Sequence, residues 1–272
     1  MDEQNQNEAD PTSGCLVQVK PEVPPFIFNR KQYKEVAKMQ LQGRWSTLIL
    51  SILISYAIFF VFYMAGYIPF VIKLFSQTRA ELDNTVRSFD TFSNNIVVFF
   101  KTFGWLILFM FASMLILTIC KIAVYRVGIV MSHTRDKVSL SEYINGFNLW
   151  AHGILGDLWG SLWIFLWSLL LIVPGIIKAY SYSQMLFIMA EYPSIGPVRA
   201  MRLSKKITKG HKWDLFVMEL SFLGWMILCV YMTFDIGLLW LYPYMLMSFT
   251  NAYHAMKKNA FDTGVITQAD FQ

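Results

Sequence analysis

The sequence predicts an all-α fold: a polytopic transmembrane helical bundle of about six helical segments, with a Pro-Gly-broken central hairpin and a basic interfacial helix. Three observations predict it. The chain is 56% hydrophobic and 15% charged, with a mean hydropathy of +0.44, against about 25% charged residues in a soluble domain. Uncharged runs of membrane-spanning length recur, as from Arg44 to Lys73. Lysines and arginines gather between those runs instead of along one soluble face, which excludes a nucleic-acid-binding domain. The three cysteines, Cys15, Cys120 and Cys229, have no paired spacing, and two of them lie inside apolar runs, so neither a disulfide framework nor a zinc site is expected.

Residues 1–28 read as a disordered polar tail ending in the Pro-rich PEVPP, with no basic-then-apolar signal pattern. A single membrane domain follows over 29–256, with spans near 46–68, 102–126, 158–173, 175–192, 213–232 and 236–256, and a polar cytoplasmic tail over 257–272. Asn29, with Gln32 three residues on, predicts a capped helix. Tyr33, Val36, Ala37, Gln40 and Leu41 share one face of it, and Arg30, Lys31, Lys34, Lys38 and Arg44 are available to anionic headgroups. A topogenic basic flank accounts equally for these cations. Lys73 to Lys101 reads as a polar connector. Ser139 and Glu142 stand in capping-box spacing.

The stretch from Leu158 to Pro193 organises the rest. As one helix it would run roughly 50 Å at 1.5 Å per residue, too long for a hydrocarbon core of about 30 Å. Pro174 removes a backbone donor, so two short helices turning at Pro174-Gly175 fit better, either crossing fully or re-entering. Next, Arg199, Arg202, Lys205, Lys206 and Lys209 fall on one side of a helical wheel, with Ala200, Leu203 and Ile207 opposite. That is the pattern of a helix lying on an anionic leaflet, ended by Gly210. Two further spans turn near Thr233–Gly237.

Cations accumulate on cytoplasmic loops. With the amino terminus inside, seventeen lysines and arginines fall on inner segments and five (Lys73, Arg79, Arg87, Lys101 and Lys178) on outer ones. Both termini are therefore expected in the cytoplasm.

Three stretches, WSLLLIVPGIIKAYSYSQ, AEYPSIGPVRAMRLSKKITKGHKWDLF and LSFLGWMIL with LWLYPY, resemble an uncharacterised bacterial integral-membrane family, domain of unknown function 975, over roughly Arg30 to Met256. The Pro-Gly break, the acidic-x-Pro step and the Ser-x5-Gly helix are also distantly similar to the membrane domain attached to some glycerophosphodiester phosphodiesterases. These 272 residues include no phosphodiesterase domain, so that activity is not carried over. The resemblance implies a multi-pass protein of the bacterial plasma membrane and no activity.

No nucleotide-binding, hydrolase or zincin motif occurs, and no cofactor is expected. The histidines, His133, His152, His211 and His254, read as solvated interfacial residues. Ionisable groups inside spans are costly and draw attention. Lys178 either snorkels to the outer face or pairs with Asp235. Glu219 is placed to bridge to a cation of the basic helix or to relay a proton, and Glu191 beside Pro193 to receive a cationic partner or to cap the helix that follows. Trp159, Trp163 and Trp167 form an aromatic stripe for lipid or helix packing. The expected role is non-enzymatic, through lipid or partner contacts at the basic helix. The alternative is a small transporter or channel using Pro174-Gly175, and third a lipid-acting enzyme.

Overall fold

Ten α-helices and one 3₁₀ turn follow one another among the described residues, 26–83 and 90–271 of the computed structural model. They are α1 (Arg30–Leu41), α2 (Trp45–Asp83), α3 (Asp90–His133), α4 (Ser141–Phe147), α5 (Trp150–Leu170), α6 (Ile172–Tyr182), α7 (Met185–Glu191), α8 (Pro197–Ile207), α9 (Lys212–Thr233) and α10 (Leu238–Asp262), then the turn Gln268–Phe271. The amino-terminal tail, as far as residue 25, lies outside the described residues.

The Asn29 side chain accepts from the Gln32 amide at 3.2 Å and caps α1, satisfying one of the donors a helix start leaves orphaned. Tyr33, Ala37 and Leu41 are buried along the predicted face, but against protein: α1 lies on α10, where Asn251 donates to the Tyr33 carbonyl and to Gln40. Two of the cations read along this stretch are not free for headgroups. Lys34 donates to the Ser221 hydroxyl at 2.7 Å and stands 3.9 Å over the Phe222 ring, and burial, then Arg30 and Lys38, lower its pKa. Arg44 is buried, its guanidinium donating to the carbonyls of Gln40, Thr134 and Asp136.

The polar connector expected over Lys73–Lys101 is mostly helix. α2 runs on to Asp83 and α3 begins at Asp90. The capping box at Ser139 and Glu142 gives way to a different arrangement. Ser139 Oγ accepts from the Ser141 amide at 3.3 Å, and Glu142 faces Arg126 at 3.8 Å. A cation on the neighbouring helix outcompetes the local backbone for that carboxylate.

The central stretch departs from expectation in three places. Its first helix starts at Trp150, because Asp157 is neutralised within α5 by Lys121 at 3.2 Å and by the Thr118 hydroxyl at 2.9 Å. Lys121, counted with the inner cations, therefore lies about three turns inside α3 from His133 at 3.6 residues per turn. The helical break falls at Leu171 (φ −159°, ψ 142°), not at Pro174-Gly175. Pro174 occupies the first turn of α6, where a missing N–H costs nothing. Beyond the break the contacts run in reverse register. Gly175 meets Ser168, Gly160 meets Met185, and Gly156 meets Met189, so α6 and α7 lie antiparallel along α5. A second interruption, at Ser183-Gln184, separates α6 from α7. The carbonyls near it are served by hydroxyls, Tyr180 by Ser183, and Ser181 by Ser204 at 2.8 Å.

Among the described residues, four helices are long and apolar enough to cross a membrane: Trp45–Lys73, Phe103–His133, Trp150–Leu170 and Lys212–Thr233. Apolar attraction between helices vanishes in lipid, so close approach through small residues holds such bundles. Here Gly146 packs on Ala123, Gly153 on Ile122 and Gly156 on Met189. α10 runs parallel to α3, with Gly128 against Leu246 and Ser132 bonded to His254. Arg44, Glu191, α8 and the carboxyl-terminal turn therefore share one end of the bundle, and Leu171 and the Thr233–Gly237 turn the other. The stretch 257–271 is packed at the first end, with Ala260, Ile266 and Phe271 buried.

Candidate functional site

α8 and the turn after it carry the cations read from the wheel. Ala200, Met201, Leu203, Ser204 and Ile207 are buried in the protein core, while Arg199, Arg202, Lys205, Lys206 and Lys209 are exposed. Pro197 at the helix start and Gly210 (φ +90°) bound the segment. Ser204 and Thr208 anchor it by donating to Ser181 O at 2.8 and 3.4 Å. Two cations are engaged by the carboxyl-terminal turn. Arg199 donates to Ala269 O at 2.9 Å, and Lys206 meets Asp270 at 3.2 Å. The Thr267 amide, then Lys206, hold the Asp270 carboxyl below the usual range. Lys205 stands 5.3 Å over the Tyr182 ring.

Glu191 receives a cationic partner from an unexpected place. Lys257 donates to both its oxygens at 2.6 Å, Tyr253 adds a bond of 2.6 Å, and His133 stands at 3.3 Å. His254 stacks edge-on against His133 and bonds to Ser132. The ligand atoms of His133, Glu191 and His254 lie within 4.8 Å of one another, a donor set suited to a transition metal. Lys257 already supplies the positive charge there, so a metal would have to displace it. The sequence read these histidines as solvated; only their convergence through the fold makes a cluster.

The remaining residues read from the sequence do not converge. Lys178 lies 4.5 Å over the Trp167 ring, and among the described residues it forms no ion pair with Asp235. Asp235 and Phe234 have positive φ, 67° and 46°, and make the α9–α10 turn, a conformation aspartate tolerates better than most residues. Glu219 accepts from the Tyr180 hydroxyl at 2.6 Å rather than from a cation of α8. Gly175 serves the α5–α6 packing against Ser168, and Pro174 lies in the first turn of α6.

Sequence reasoning missed a cavity of about 460 Å³ between α2, α3, the α6–α7 break, α9 and α10. Its walls are mainly apolar, among them Ile52, Leu117, Phe187 and Phe249, and Lys121, Ser183, Gln184 and Glu219 also line it. No local signal marks it, because the lining residues come from distant parts of the chain.

A chain that is all-helical among its described residues, with four helices of this length and hydropathy, has the make-up of a membrane protein. The chain belongs to the family of proteins of unknown function designated DUF975, whose profile matches residues 54–260. Neither a curated protein nor a solved structure matches it.

Proposed function

We propose that this chain is a non-enzymatic, multi-pass protein of the bacterial plasma membrane, with both termini cytoplasmic, that binds anionic lipid headgroups through the cationic face of α8. The observation that carries this reading is the combination of five exposed cations with an apolar side fixed in the core. The charge is thereby presented on a rigid support at the end of the bundle that also holds both described termini. Each lysine or arginine near an anionic surface is worth about 1 kcal/mol. In this threading α5 and the α6–α7 stretch form a hairpin within the bilayer, and α9 and α10 complete six segments.

The test is retention of phosphatidylglycerol against phosphatidylcholine by the purified protein. The wild type should retain phosphatidylglycerol preferentially, and less so at high salt. Reversing Arg199, Arg202 and Lys206 to glutamate should abolish the preference. Unchanged retention, with cellular function lost, would move the role of this face to a protein partner. A transporter working at Pro174-Gly175 is less well supported, because the cavity opens elsewhere.

A further inference from the structure

We infer that the cavity bounded by α2, α3, α9 and α10 is a binding site for a lipophilic organic cation, held by the Glu219 carboxylate among aromatic side chains. Glu219 lines the cavity about two turns into α9 from Lys212, at 3.6 residues per turn. A carboxylate inside a membrane span is costly, and such groups are kept where a cation or a function answers them. Its partner is the neutral Tyr180 hydroxyl at 2.6 Å, and among the described residues no lysine, arginine or histidine pairs with it. The hydroxyl supplies a donor and leaves the charge uncompensated.

The lysine of the lining does not supply the missing charge. Lys121 meets Asp157 at 3.2 Å, a carboxylate of α5 that is itself outside the lining. Lys121, Asp157 and Glu219 together therefore carry one net negative charge. An anion would add to it, and a neutral occupant would leave it unanswered between apolar walls. A cation removes it. The walls say which kind. Tyr56, Tyr125, Phe187, Tyr242 and Phe249 all line the cavity, and aromatic rings attract cations most strongly when these are desolvated. A bulky ion whose charge is shielded by apolar groups sheds little water on entry, whereas a metal ion would have to give up its hydration shell. The volume of about 460 Å³ falls within the usual range for small-molecule sites, roughly 300–1,000 Å³. This site is separate from the α8 face, so the two proposals fail independently.

The experiment measures binding of tetraphenylphosphonium and of the neutral triphenylphosphine oxide to the full chain in phosphatidylcholine nanodiscs, with empty nanodiscs subtracted. The wild type should bind the cation about tenfold more tightly, the equivalent of one charged contact. Glu219→Gln keeps an acceptor for Tyr180 and removes the charge, so it should bring the two ligands within about twofold of each other. Equal binding by the wild type, no binding of either, or a preference that survives Glu219→Gln would overturn the inference. So would tighter binding of tetraphenylborate, the anion of the same shape. Should Glu219→Gln fail to fold, Ile52→Phe fills the cavity from its buried wall. Loss of tetraphenylphosphonium binding then supports the site, and retention overturns it.

Discussion

Lys257 of α10 donates to both carboxylate oxygens of Glu191 at 2.6 Å. The side chains are 12% and 11% exposed, and Tyr253 also donates to the carboxylate, with His133 at 3.3 Å. A pair this buried and this well bonded holds the end of α7 to α10, and with it the start of α8. Removing one partner strands the other charge, at a cost of about 3–5 kcal/mol. Glu191→Gln should therefore lower the thermal midpoint in detergent markedly, and Glu191→Gln with Lys257→Met should recover most of the loss. If the double variant is as unstable as the single one, the pair is not what the glutamate serves.

Gly175 packs so closely on α5 that a Cβ there would lie 2.9 Å from the Ser168 Cα. Because the neighbour is backbone, the helices must separate to admit a methyl group. Gly175→Ala should cost about 1–3 kcal/mol, the range for overpacking. Gly224→Ala, where nothing lies within 4 Å, should cost nothing. Thermal unfolding of the two variants in the same detergent checks the contrast.

Arg44 ties α1 and the start of α2 to the end of α3 through carbonyls of Gln40, Thr134 and Asp136. A guanidinium can reach them together because its donors form a fixed fork, whereas an ammonium is a single point. Arg44→Lys keeps the charge and should still lose about 1.5–3 kcal/mol, the scale of one charged hydrogen bond. Proteolysis between α1 and α2 should accelerate in parallel.

The carboxyl-terminal turn covers part of the cationic face. Asp270 has its pKa depressed, by the Thr267 amide first and Lys206 second. A depressed carboxyl contributes stability that is present above its unfolded pKa and is lost as pH falls through the folded one. The contact between Asp270 and Lys206 should persist at neutral pH and be lost only below the ordinary aspartate range. Asp270→Asn should increase phosphatidylglycerol retention by freeing Lys206, with the turn still held by the buried Phe271 and by the Arg199 bond to Ala269 O. Unchanged retention in that variant would separate the turn from the lipid face.

Local features were legible in the sequence and distant pairings were not. Asn29 announces its cap because donor and acceptor are three residues apart, and the α8 wheel is readable because burial follows helical period. The chain break was displaced to Leu171 because proline in a first turn is compatible with helix, so Pro174 marks a start instead of a stop. Arg44 looked like a flank, since nothing nearby reveals that the end of α3 returns to meet it.

The direction in which α8 faces is decided most directly by labelling. Lys209→Cys, in a chain with Cys15, Cys120 and Cys229 replaced by alanine, is treated in intact cells with a membrane-impermeant maleimide, alongside Ile172→Cys beside the α5–α6 break. Residue 172 should react from outside, and residue 209 only after the membrane is permeabilised. Labelling of residue 209 in intact cells would contradict the cytoplasmic placement of the cationic face and the lipid-binding role built on it.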